Sequence, residues 1–202
     1  MKQLIFLIFL INYTLAYEFK LNGKDIKYIN NSDKKSFIEN RLDKYKNLKI
    51  QVKDYELIKK LSYINSFVNK ILPAYDTSTQ ASLDYWATPK EFLLQGHGDC
   101  EDYVITKYFT LLEVGIPKEK LYFAIVDIKG QKDSHMILLY LETKESTPLV
   151  LDNLSSVVIP LTKRTKLIPK FAFNEIDSYK FNHQKFTEKW EKLLFRVYTL
   201  NE

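Results

Sequence analysis

One cysteine, Cys100, in a chain of 202 residues is the feature that most limits what this sequence can build. A lone thiol closes no internal disulfide, so the chain is no stapled mini-scaffold and must bury an apolar core. Apolar residues at 46% and charged residues at 27% supply that core and a solvated surface. The length suits one domain.

The first residues add a second constraint. Met1-Lys2-Gln3 precedes an apolar run from Leu4 to Ile11, and small residues follow at Thr14 and Ala16. A positive start, a short apolar stretch and a small-x-small ending are the pattern of a secretory signal peptide. The run is too short for a permanent bilayer span. The expectation is a signal peptide over residues 1–16 and a single exported domain over 17–202, soluble after cleavage. A buried N-terminal strand is the alternative. Export sharpens the question of Cys100, because an odd thiol in an oxidising compartment is either intermolecular or reactive. An inert, buried cysteine is the third option. The net charge of +5 comes from dispersed lysines, which reads as a solvated surface with no nucleic-acid partner.

Residues 17–34 read as a short strand and a loop. Lys35 to Tyr45 reads as a helix capped by Ser32 or Asp33. Leu57, Leu61, Ile64, Val68 and Ile71 recur at helical spacing, and Pro73 stops the stripe. Residues 74–98 are irregular, with a short helix near Pro89-Lys90-Glu91-Phe92-Leu93. Cys100 to Val114 is helical, ended by Gly115 and Pro117. Strands follow over Leu121–Ile128, His135–Leu141 and Pro148–Leu154, with Val157–Leu161 extending the sheet. Phe186–Tyr198 closes the chain as a helix. Helices first, then hairpin-like strands, give an α+β fold.

Chemistry gathers around the run Gly96-His97-Gly98-Asp99-Cys100-Glu101-Asp102-Tyr103. The glycines permit close backbone approach, and Asp99 can cap the helix. A thiol in the first helical turn feels the positive end of the helix dipole, which favours thiolate. Asp99 and Glu101 oppose that by charge. Backbone N–H groups at the same terminus can bind an oxyanion. His135 and Asp152 each stand at the edge of an apolar run. An imidazole to take the proton and a carboxylate to orient it complete a Cys-His-Asp set. The expected geometry is Cys100 within hydrogen-bonding reach of His135, with Asp152 behind the ring. His97 is the competing base, too constrained by its closeness to the cysteine. His183 has no evident partner, and Gln95 is a possible oxyanion donor of unknown direction. Tyr85 and Trp86 either wall a cleft or pack as core.

The runs Asp84-Tyr85-Trp86-Ala87-Thr88-Pro89, Gly98-Asp99-Cys100-Glu101-Asp102-Tyr103 and Lys107-Tyr108-Phe109, with His135-Met136 and Leu149-Val150-Leu151-Asp152-Asn153-Leu154, resemble the bacterial transglutaminase-like cysteine proteinases. The resemblance covers roughly residues 55 to 180; His97 departs from the small residues usual at its position. It implies a papain-like, transglutaminase-type core with the cysteine helix packed on an antiparallel sheet. Cys100 would be the nucleophile, His135 the general base and acid, and Asp152 the orienting group of a peptide-bond hydrolase. It also implies calcium, with Asp99 and Glu101 at the matching ligand positions. Two carboxylates do not complete a calcium shell; Asp76, Asp84, Asp102 and backbone carbonyls are the unranked remainder. Both acids are equally what a helix N-terminus favours by itself. The implied setting is periplasmic, the substrate a large surface adhesin cut near its N-terminus, and the regulator a cyclic-di-GMP-responsive inner-membrane receptor. A transglutaminase or amidase on the same residues, and a non-catalytic binding module, are the other readings.

Overall fold

Capping chemistry decides how the chain begins. The Asn22 side chain accepts the N–H groups of Lys24 and Asp25, and Asp25 accepts the N–H of Asn22 in return. This capping box starts helix α1 (Gly23–Asn31) where the sequence reading expected a strand and a loop. The structure, a computed structural model, describes residues 18–74, 85–176 and 184–199. The expected signal peptide, Asp76, Asp84 and His183 lie outside the described residues.

Helix α2 (Lys35–Val52) runs a further two turns past the expected Tyr45, because Leu48 and Val52 continue the buried stripe begun by Ile38 and Tyr45. Its N-cap is Lys34, not Ser32 or Asp33; Ser32 Oγ instead accepts the Lys34 N–H. Helix α3 (Leu57–Val68) buries Leu61, Ile64 and Val68 as the spacing predicts. A two-residue strand β1 (Leu72–Pro73) follows, and Thr88 then caps helix α4 (Pro89–Gln95) in a second capping box. Gly96 ends α4 at φ 77°, and a Cβ there would meet the Arg41 guanidinium. Strand β2 (His97–Gly98) pairs in parallel with β1 and leads into helix α5 (Cys100–Glu113).

The remaining strands, β3 (Leu121–Ile128), β4 (Ser134–Tyr140), β5 (Leu149–Asp152), β6 (Ser155–Pro160) and β7 (Leu167–Phe173), form an antiparallel sheet of order β6-β5-β4-β3-β7. The sequence reading found the first four and missed β7, whose interior side chains are exposed and so give no alternating pattern. The chain closes with helix α6 (Gln184–Thr199). This is the α+β, papain-like arrangement: helices pack on one face of the sheet, and the cysteine helix runs through the middle.

Helix α5 is buried from Asp102 to Leu111. Its Tyr108 and Phe109 meet Phe123 of the sheet and Trp190 of α6, with ring centroids 4.9–6.0 Å apart among them. Enclosure on every side fixes the direction in which the helix N-terminus points.

One buried group is expensive. Lys107 is fully buried on α5, and its ammonium has no hydrogen-bond partner among the described residues. Burial pushes it down to about 7, while the charge of Asp152 works the other way. An ordinary lysine titrates near ~10.4. Between those values the unfolded chain binds more protons than the folded one, so stability rises with pH across that window. Lys107→Met should raise the melting temperature at neutral pH, and the gain should vanish as the pH nears about 10.4. Thermal melts across this range test it; a gain that does not vary with pH would rule the charge out as its cause.

Candidate active site

The site is assembled from the α5 N-terminus, the start of β4 and the end of β5. Cys100 is the first residue of α5, directly after the N-cap Asp99. The cap is reciprocal: Asp99 accepts the Asp102 N–H, and Asp102 accepts the Asp99 N–H. Asp102 also accepts the N–H of Ala87 at 2.8 Å, which ties the preceding loop to the helix. Asp102 thus holds both the cap and the preceding loop through backbone donors. Gly98 is required here by contact, since a Cβ would sit 2.5 Å from Asp102 Oδ2 and 2.7 Å from the Phe92 ring.

His135 stands at the second position of β4 and Asp152 at the end of β5, both buried. His135 Nε2 lies 2.8 Å from Asp152 Oδ1. An ionised carboxylate only accepts, so Nε2 carries the proton and Nδ1 is the nitrogen left for exchange with a thiol. Burial works to raise the Asp152 carboxyl, but hydrogen bonds from His135 and the Leu154 N–H, with the charges of His135 and Arg164, hold it below its ordinary value.

Cys100 meets this pair from α5. The β4–β5 ladder runs from Tyr140↔Leu149 to Leu138↔Leu151, so the first residues of β4 project past it. The backbone N–H of Met136, next to His135, acts there on the Cys100 thiol and favours its ionised form. The thiol itself donates to Glu101 Oε2 at 2.9 Å. The expected Cys100–His135 hydrogen bond is not formed: the sulfur lies against the residue beside His135, and its proton is taken by Glu101. Burial first, then the charge and hydrogen bond of Glu101 and the charge of Asp99, push the Cys100 thiol well up, with the Met136 N–H working against them.

Three groups that sequence reasoning missed hold the site. Arg164, just after β6, donates through Nη2 to Asp152 Oδ2. Each carboxylate oxygen thus has its own partner, which stops the group turning away from His135. Asn69, the C-cap of α3, donates to the carbonyls of Asp152 (2.8 Å) and Ser155 (3.0 Å), and Asn65 of α3 donates to Ser155 (2.8 Å). Polar residues beside a hydrophobic stripe were the signal. Of the other candidates, Gln95 and His97 are exposed, Trp86 is buried as core, and Tyr85 is exposed.

The profile of the bacterial transglutaminase-like cysteine proteinases matches residues 28–175. The chain belongs to that family. No curated protein sequence matches it. Among solved structures it is similar to Legionella pneumophila LapG, at 33% identity and a TM-score of 0.71, covering 86% of this chain and 96% of that one. It is equally similar to EGTA-treated LapG, and to calcium-bound LapG at 32% identity and a TM-score of 0.70, covering 86% of this chain and 97% of that one. The proteinase presents two carboxylates, Asp99 and Glu101, on either side of its thiol. These hard oxygen donors suit calcium in chemistry. Among the described residues no group of three or more His, Cys, Asp or Glu is arranged to hold a metal.

Two outcomes follow for the buried ion pair. Arg164→Gln leaves Asp152 without its second partner and should cost about 2–3 kcal/mol in urea unfolding, toward the lower side for a broken buried pair because the guanidinium keeps some solvent contact. The depressed Asp152 carboxyl stabilises the fold above its ordinary titration near ~3.9, and that contribution is lost as pH falls through its folded value. Asp152→Asn should therefore flatten the acid limb of stability below about pH 4. An unchanged acid slope would show that Asp152 does not carry it.

Proposed function

We propose that this proteinase is an exported, calcium-dependent cysteine endopeptidase that cuts the N-terminal region of a large surface adhesin and releases it from the cell, dispersing biofilm. In this reading residues 1–16 are removed as a signal peptide, and residues 17–202 act as one periplasmic domain. Among the described residues no helix is long and apolar enough to cross a membrane. The observation that carries the reading is the 2.8 Å His135–Asp152 bond beside a cysteine at a helix N-terminus. The family resemblance supplies the substrate class and a cyclic-di-GMP-responsive inner-membrane receptor as the controlling partner.

The chemistry follows from the placement of each group. The Cys100 side chain turns from Glu101 toward His135, and Nδ1 takes its proton. The thiolate attacks the scissile carbonyl carbon, and the carbonyl electron pair moves to oxygen. Backbone N–H groups at the α5 N-terminus face that oxyanion. The imidazolium then protonates the departing amine, which leaves an acyl-enzyme. His135 deprotonates a water that attacks the thioester, and the thiol is restored. Asp152 keeps the ring in one tautomer and stabilises its charged form. Asp99 and Glu101 would hold calcium, which supplies positive charge that neutralises the acids flanking the thiol.

The test is cleavage of an adhesin N-terminal region by the purified protein, with calcium and with a chelator. Cys100→Ala and His135→Ala should abolish cleavage while melting as cooperatively as the native protein. Asp152→Asn should lower kcat by about 10²–10⁴, since it costs orientation and tautomer but leaves the nucleophile. Asp99→Ala should reproduce the effect of the chelator; full activity of that variant in chelator would remove calcium from the reading. Transfer of an added primary amine to the acyl group, in preference to hydrolysis, would replace the protease with a transglutaminase.

A further inference from the structure

A cleft of about 930 Å³ lies between α2 and α3, outside the site described above. One wall is a single stripe of α2, from Asn40 through Lys44 and Asn47 to Gln51, and the facing wall runs from Ser62 to Phe67 of α3 and on to Lys70 in the turn after it. The rise from Asn40 to Gln51 makes this stripe about 16 Å long, enough for about five residues of extended peptide at about 3.3 Å each. The cleft ends at Leu72 and Gly96, where β1 pairs with β2 and the chain runs on through Gly98 to Cys100.

The charges in this cleft have one sign. Arg41, Lys44 and Lys70 line it, and no Asp or Glu is among its lining residues. Lys44 and Lys70 are exposed, and neither has an ion-pair partner among the described residues. Arg41 donates through Nε to the Leu93 carbonyl at 2.7 Å, which fixes its guanidinium beside Gly96 at the end nearest the cysteine. The amides Asn40, Asn47 and Gln51 offer both donors and acceptors, as a peptide backbone requires. Leu48, Phe67 and Ile71 give the cleft an apolar element.

We propose that this cleft binds an extended, acidic stretch of the substrate polypeptide and leads the adjoining residues to Cys100. The inference rests on the protease reading only in naming the bound chain a substrate. Lys44 and Lys70 select for Asp or Glu several residues away from the scissile bond, and the amides hold the backbone.

The test has a binding arm and a cleavage arm. Fluorescein-labelled decapeptides of alternating Glu and Ala, Ser and Ala, or Lys and Ala are titrated into the purified protein and followed by anisotropy. The glutamate peptide should bind tightest and weaken with salt. The double variant Lys44→Glu/Lys70→Glu, both at exposed positions, should weaken it by about tenfold, two surface charges lost and reversed, and should come to favour the lysine peptide. In adhesin cleavage the same variant should raise KM with kcat unchanged. Equal binding of the three peptides, or a charge reversal that changes neither their order nor KM, overturns the proposal even if cleavage proceeds normally. Selective glutamate binding with no cleavage under any condition leaves the acidic-peptide cleft standing and removes the protease reading instead.

Discussion

The buried carboxylate of Asp152 is the interaction on which the site depends. A fully buried anion is tolerated only where it is neutralised and hydrogen-bonded, and here His135 takes one oxygen and Arg164 the other. The Leu154 N–H adds a local bond within the turn that follows β5. Asn65 of α3 and its C-cap Asn69 hold the same turn through its carbonyls. Removing His135 or Arg164 leaves the carboxylate without compensation, so β4, the β5–β6 turn and the segment after β6 are coupled through one side chain, while α3 and its C-cap brace the backbone of the turn. The fully buried Lys107 adds a cation near the same charge without a hydrogen bond.

The thiol sits in a conflict of fields. The α5 N-terminus and the Met136 N–H favour thiolate, while burial, Glu101 and Asp99 favour the neutral thiol and prevail. The Cys100 proton is therefore bonded to Glu101. A cation on the carboxylates would remove their part of that opposition and leave the part that burial contributes.

The last helix contributes at a distance in sequence. Trp190 enters the core against Tyr108, Phe109 and Phe123, and Arg196 reaches the Trp86 carbonyl, Tyr85 and Glu91, the last at 2.9 Å. Helix α6 thereby clamps the segment between the core and the cysteine helix, the same segment that Asp102 holds from the other side through Ala87. The helix itself was legible from its spacing, but the reach of Arg196 to Trp86, Tyr85 and Glu91 leaves no local pattern.

By itself the sequence determined the elements whose signals are local. The stripe of α3, the cap and glycines that start α5, four strands of the sheet and the choice of Cys100, His135 and Asp152 as candidates all follow from periodicity, capping or motif, because each depends on neighbours a few residues away. It also misjudged local features: the Asn22 capping box outweighed the aromatic character of residues 17–34, α2 began at another cap and ran further than expected, and the exposed interior of β7 hid its period. Only the tertiary structure decided that Arg164 secures Asp152, that Asn65 and Asn69 brace its turn, that Trp86 is core, and that the thiol bonds Glu101 and not His135. Those outcomes turn on which strand outruns its neighbour and on contacts between residues tens of positions apart. Burial sets their strength, and burial is a property of the folded surface that no run of residues carries alone.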